Sequence, residues 1–173
     1  MQVNPLHLCI LKLDFGGIYL DSDVLALQSF DPLRQYEMVL GREQPEALCN
    51  GIIIARRGAP FLQLILDLYD SYLGDDEEWG YRANREPHRL ALSHPELIHI
   101  EETSLDRPNW KESPLIYSGL YNWRSNFAMH LWVRKWPEQD VPQGLKDVAT
   151  ANTTIGEMTR WILYGSSNPV SSL

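Results

Sequence analysis

The sequence predicts an α/β protein, and three observations carry that reading. Ile18-Tyr19-Leu20 and Asn50 to Ala55 are short runs of bulky and β-branched residues, the composition of buried strands. Phe61 to Leu73 is apolar on most of its helical surface, with Pro60 near the first helical position, so it predicts a largely buried helix. Strand and helix signals then alternate along the chain, which favours helices layered on a sheet in three layers.

The chain of 173 residues is long enough to bury one core, and its 44% hydrophobic share is that of a globular protein. A net charge of −8, with no basic cluster beyond Arg56-Arg57 and Arg134-Lys135, excludes a nucleic-acid binder that must neutralise phosphates with its own side chains. It leaves room for a nucleotide-sugar, whose diphosphate a metal can neutralise. Two cysteines, Cys9 and Cys49, make neither a disulfide framework nor a zinc site. No apolar run is long enough to span a membrane, and the first residues lack the shape of a signal peptide. Asn152-Thr153-Thr154 is a glycosylation sequon, a triplet that arises often by chance.

Taken in order, the apolar residues from Leu6 to Leu13 line a short helix leading to Gly16-Gly17. The glycines either cap that helix or let the backbone approach something closely. The strand from Ile18 to Leu20 follows, and Asp31-Pro32 marks a turn. Met38 to Leu40 predicts a strand, Arg42 to Ala47 a polar loop, and Asn50 to Ala55 a second clear strand. After the helix from Phe61 comes an acidic loop, Gly74 to Glu78, and a short helix from Asn84 to Ser93. Leu97 to Ile100, Leu115 to Tyr117 and Phe127 to Val133 predict strands, and Gly156 to Tyr164 a tail helix with Met158, Trp161 and Ile162 on one side. No internal repeat or low-complexity tract is present.

Asp21 and Asp23 stand where the first strand emerges. Carboxylates there are costly unless a cation meets them, and hard divalent ions take carboxylate oxygens. Alternate strand residues point the same way, so the two can reach one ion. The plainer alternative is a solvated turn. Asn50-Gly51 reads as a plain turn before a strand, and His130 as a half-buried histidine satisfied by a carbonyl or, alternatively, as a metal ligand.

The block Phe15-Gly16-Gly17-Ile18-Tyr19-Leu20-Asp21-Ser22-Asp23-Val24 resembles the glycosyltransferase sugar-binding region containing the DXD motif, of the family 32 type. That family includes α-1,4-galactosyl- and N-acetylglucosaminyltransferases and fungal initiating mannosyltransferases. Further matches lie at Asn50 to Phe61 and Ala128 to Trp136. The chain thus divides into a non-matching segment 1–10, a partial glycosyltransferase domain 11–136, and a tail 137–173 with a short helix.

The resemblance implies a partial GT-A-like, nucleotide-sugar-binding three-layer sandwich with a mixed sheet. It implies a retaining, metal-dependent transfer of a hexose or N-acetylhexosamine from a UDP-sugar or GDP-mannose to a glycan or glycolipid hydroxyl. Asp23 would ligate Mn²⁺ (or Mg²⁺) directly, Asp21 would touch the donor ribose or the metal's outer shell, and His130 would be the third ligand. Gly17, Tyr19, Asp21, Asn50 and Gly51 would face the donor. Trp79 and Trp132 are candidates to stack on sugars, and Trp161 is expected in the core. No protein base or nucleophile is evident.

Departures from the family pattern carry their own expectations. The positions of an Asp and an Arg that grip the nucleotide hold Pro5 and Leu8, and an upstream βα portion has no counterpart, so the chain is expected to be N-terminally incomplete. An upstream anchor would place the protein in the Golgi. Tyr81 to Pro87 replaces the family's acceptor-side glycine-proline stretch. Two rival readings remain. One is a non-catalytic carbohydrate- or partner-binding remnant. The other is a haloacid-dehalogenase-type phosphatase with Asp21 as nucleophile, disfavoured by Leu25 and Ala26 after Val24 and by Gly74-Asp75 following a helix.

Overall fold

The computed structural model describes residues 14–70, 79–135 and 144–169, with the side chains of 69–70 and 79–82 outside the description. The architecture is α/β with a mixed sheet and, complete among the described residues, five helices, compatible with a partial GT-A-like fold. The strands are β1 (Gly17–Leu20), β2 (Val24–Ala26), β3 (Met38–Gln44), β4 (Ala47–Ala55), β5 (His99–Glu101) and β6 (Ala128–His130). The helices are α1 (Pro60–Asp70), α2 (Trp79–Ser93), α3 (Pro114–Tyr117), α4 (Leu145–Thr150) and α5 (Thr154–Tyr164). Four strands form the main sheet in the order β1-β4-β3-β5, where only β3 and β5 run parallel. β2 and β6 form a separate antiparallel ribbon.

The period of two along β3 and β4 divides the core. Met38, Leu40, Ile53 and Ala55 face Phe61, Leu62, Ile65 and Leu66 of α1 and Ala91 of α2. Val39, Ile52 and Ile54 face the other way, onto Leu33, Leu105 and Ala128. A third cluster packs Met129 of the ribbon against Ile116, Tyr117, Trp123, Ile155 and Met158. Fully burying each such side chain stabilises by roughly 1.5–3 kcal/mol, so the ribbon is held firmly between sheet and C-terminal helices.

Several sequence expectations need correction. The helix expected over Leu6 to Leu13 lies outside the described residues, and Asp14 and Phe15 are helical directly before Gly16 at φ +68°. Arg42 to Ala47 is not a loop: β3 runs to Gln44 and turns through Pro45-Glu46 into β4. Polar residues continue the strand because they have partners, Arg42 with Glu102 at 3.1 Å and Glu43 with Asn84. α2 starts five residues before Asn84 and passes through Pro87, which is buried beside Ala83 and Ala91 on the packed face. Leu115 to Tyr117 is a helical turn, not a strand, because Pro114 at the first position pre-sets its φ and its carbonyl accepts from Ser118 N and Gly119 N at 3.0 Å.

Further along the chain, β5 is confined to His99–Glu101, with Pro95–Leu97 forming a 3-10 turn before it. The strand expected from Phe127 to Val133 ends at His130, because Trp132 sits at φ +55° and Val133–Lys135 winds into a 3-10 turn. α5 begins at Thr154, two residues before Gly156, with Thr153 as N-cap accepting from Gly156 N at 3.3 Å. The third sequon residue, Thr154, is buried, and its hydroxyl donates to Leu115 O at 2.7 Å. Trp161 is 43% exposed, so it is not core; Trp123, 3% exposed, takes that place and donates to Glu157. The acidic loop Gly74 to Glu78 and residues 1–13 lie outside the described residues. Among the described residues no helix is long and apolar enough to cross a membrane.

Candidate metal centre

β1 pairs antiparallel with β4, Leu20 opposite Ile52, and the register brings Gly51 beside Asp21. Asp21 N donates to Gly51 O at 2.8 Å, while Tyr19 OH donates to Asp21 Oδ1. The chain then turns rather than continuing as a strand. Val24 N donates to Asp21 O at 3.0 Å, so Asp21 to Val24 is a β-turn. The strand alternation expected for Asp21 and Asp23 therefore does not hold, and the turn brings the two carboxylates together instead. β2 leaves that turn and pairs with β6, Val24 opposite His130. Asp23 is fixed at both ends of its reach, Leu131 N donating to its carbonyl at 2.8 Å and Val133 N to Oδ2 at 3.2 Å.

Two distant stretches of sequence thus meet. His130 Nε2 is 3.2 Å from Asp23 Oδ1 and 4.0 Å from Asp21 Oδ2. One ligand atom from each of the three residues lies within 4.8 Å of the others. An ion about 2.1 Å from each donor lets donors stand up to about 4.2 Å apart, so the donor set fits a divalent cation with small adjustment. The cradle is cut for these groups. A Cβ on Gly51 would come within 2.9 Å of both Asp21 Oδ2 and His130 Cε1.

The other face of the imidazole meets buried groups. His130 Nδ1 is 3.6 Å from Asp106 Oδ1 and 3.9 Å from Cys49 Sγ. These three residues also cluster within 4.8 Å, all of them buried. A hard ion suits the first cluster better, because Asp21 and Asp23 offer carboxylate oxygens and keep 36% and 25% of their side chains exposed. Trp132 stacks on the imidazole at 3.8 Å between centroids and donates from Nε1 to Pro108 O at 3.2 Å.

Electrostatics follow from burial and pairing. Burial opposes protonation of His130, and the carboxylates of Asp106 and Asp23 more than offset it, bringing the imidazole to about 9. The hydrogen bond from His130 holds Asp23 below the usual carboxylate range. Burial pushes Asp106 and the Cys49 thiol up. Burial, then the nearby Asp106 charge, raises Glu43 to about 7.

The remaining sequence-selected residues are placed as follows. Asn50 precedes Gly51 on β4, partly buried, and Gly17 lies opposite Ala55 at the far end of β1. Tyr19 packs its ring on the α1 side of the sheet. The side chain of Trp79 lies outside the described residues, as do His7, Pro5, Leu8, Cys9 and Asp75. His99 stacks on Tyr36 and His94 pairs with Glu96 at 3.8 Å, away from the cluster. Sequence reasoning missed Asp106 and Glu43, acids with no spacing signal, 1% and 4% exposed.

The chain is 33% identical over 120 residues to "Glucan organizing enzyme 1" of Cryptococcus neoformans var. grubii serotype A. The match covers 63% of this chain and 32% of that protein, so the chain spans about a third of its relative's length. No protein-family model and no solved structure matches the chain.

Proposed function

We propose that this chain carries the metal- and donor-binding part of a glycan-building enzyme. Its reaction would be a retaining transfer of a sugar from a nucleotide-sugar, a UDP-sugar or GDP-mannose, to a glycan or glycolipid hydroxyl. The observation that carries the proposal is the convergence of Asp21, Asp23 and His130 from two ends of the chain onto one partly open spot. The relative's name, a glucan organizing enzyme, supports a carbohydrate-related role. Its activity belongs to a protein of which this chain matches 32%, and transfer by this chain is our inference.

Asp21, Asp23 and His130 would hold Mn²⁺ or Mg²⁺. The ion would neutralise the donor's diphosphate and stabilise the departing nucleotide. The protein's own work is positional. The Asp21–Val24 turn aims both carboxylates at the imidazole, Gly51 keeps the space beside them clear, and Trp132 holds the ring from one face. Asn50, beside Gly51, offers an amide able to donate to and accept from sugar hydroxyls.

Hydrolysis of UDP-sugars and GDP-mannose with Mn²⁺, run beside phosphate release from an aryl phosphate, separates the readings. Donor hydrolysis lost in Asp23→Ala is the expected result. Aryl phosphate release abolished by Asp21→Ala would favour the phosphatase. Sugar binding without either turnover would leave a carbohydrate-binding role.

A further inference from the structure

Asp106 is one of the most deeply buried acids in the described structure, 1% exposed, and neither of its oxygens has a hydrogen-bond partner within ordinary distance. A carboxylate so placed is costly unless a donor or cation answers it. The group standing to do so is His130, with Nδ1 3.6 Å from Oδ1. The segment that carries Asp106 is fixed firmly. Phe127 N and Ala128 N donate to Ser104 O at 2.8 and 3.3 Å, so it is tied to the base of β6. Gly41 makes room for it on β3, since a Cβ there would meet Asp106 Cβ and Leu105 Cβ at 3.1 Å. Pro108, two residues on, accepts the indole hydrogen bond of the Trp132 that stacks on the same imidazole.

We propose that Asp106 is the positioning residue of the metal centre. It accepts the Nδ1 proton of His130 in a hydrogen bond and thereby presents the Nε2 lone pair to the ion shared with Asp21 and Asp23. This rests on the metal reading of the preceding subsection. The physical basis is that one imidazole nitrogen's hydrogen bond decides which nitrogen is free to ligate. Asp106 and Trp132 together fix both the ring's tautomer and its plane. Coordination at Nε2 makes Nδ1–H a stronger donor, so the 3.6 Å separation is expected to close when an ion is held. Cys49 Sγ, at 3.9 Å, is the weaker neighbour of the same nitrogen.

The full chain, labelled with ¹⁵N in its histidine rings and titrated with Zn²⁺ as a diamagnetic probe, reads the tautomer directly, with His130→Gln assigning the signal. The expected spectrum has Nε2 metallated and Nδ1 bearing a proton that exchanges slowly. Mn²⁺ titration followed by electron paramagnetic resonance gives the second readout. Asp106→Asn is expected to weaken binding ten- to a hundredfold. Cys49→Ala and the core control Leu105→Ala are expected to stay within about twofold, because neither touches Nε2 or supplies the acceptor. Metal on Nδ1 in the wild-type chain, or Asp106→Asn binding Mn²⁺ as the wild type does, would overturn the positioning role alone. Absence of binding by the wild-type chain would overturn it together with the metal reading.

Discussion

Gly51 shows how a single side chain, here a hydrogen atom, sets the site. Its neighbours Asp21 and His130 lie where a Cβ would be, at 2.9 Å, and both are the functional ends of their side chains rather than backbone. Gly51→Ala must therefore move the side chain of Asp21 or of His130. The expected result is a tenfold or larger loss of Mn²⁺ affinity, with a stability cost of about 1–3 kcal/mol by thermal melting. Glu43 gives a residue-scale consequence in pH. Asp106, His130 and Cys49 are its titratable neighbours in the interior, and Asn84, Arg85 and Glu46 share its cleft of about 410 Å³. Its folded pKa of about 7 is above the ordinary 4.5, so between those values the folded state holds a proton that the unfolded chain releases. Stability from this group is therefore fully present below about 4.5 and falls as pH rises toward 7, by about 3 kcal/mol at most. Glu43→Gln is expected to flatten that slope in denaturant titrations at pH 4.5 and 7.5; an unchanged slope would show that burial does not raise the pKa of Glu43 on folding.

At the scale of elements, the C-terminal pair α4 and α5 depends on one guanidinium. Arg160 is 1% exposed and donates to Val148 O at 2.6 Å, Ala151 O at 2.7 Å and Ser167 O at 2.8 Å. It meets the carbonyl end of α4, where a cation also suits the helix dipole. Arg160→Ala would strand those carbonyls without a donor and is expected to cost about 3 kcal/mol in chemical denaturation while leaving Mn²⁺ affinity unchanged. Elements were legible in the sequence where their period was strong. β4 and α1 are strongly apolar: the strand expected over Asn50 to Ala55 is present and starts three residues earlier, at Ala47, and the helix expected from Phe61 is present as far as the described residues run, to Asp70. β3 beyond Gly41 was not legible, because Arg42 and Glu43 look like loop residues until Glu102 and Asn84 are seen to meet them. Nor was the end of β6, which a left-handed Trp132 sets and no propensity marks.

At the scale of the whole molecule, the candidate site joins residues more than a hundred positions apart. Asp21, Asp23 and His130 were legible only because a motif at each end of the chain resembled one family; their spacing alone gave a solvated turn and a lone histidine. Asp106 was illegible for the opposite reason. Its place is made by Gly41, Ser104 and the base of β6, none of which marks an acid for function. The chain spans about a third of the glucan organizing enzyme it resembles. Three protein donors are also only part of a coordination shell, so metal affinity is expected to be modest and to rise when a nucleoside diphosphate supplies further oxygens.

Electron paramagnetic resonance of Mn²⁺ titrated into the full chain, with and without UDP, tests the metal centre most directly. The account expects bound Mn²⁺ that tightens with UDP and weakens at least tenfold in Asp23→Ala. Equal Mn²⁺ binding by wild type and Asp23→Ala, or no binding at millimolar Mn²⁺ with UDP present, would contradict it.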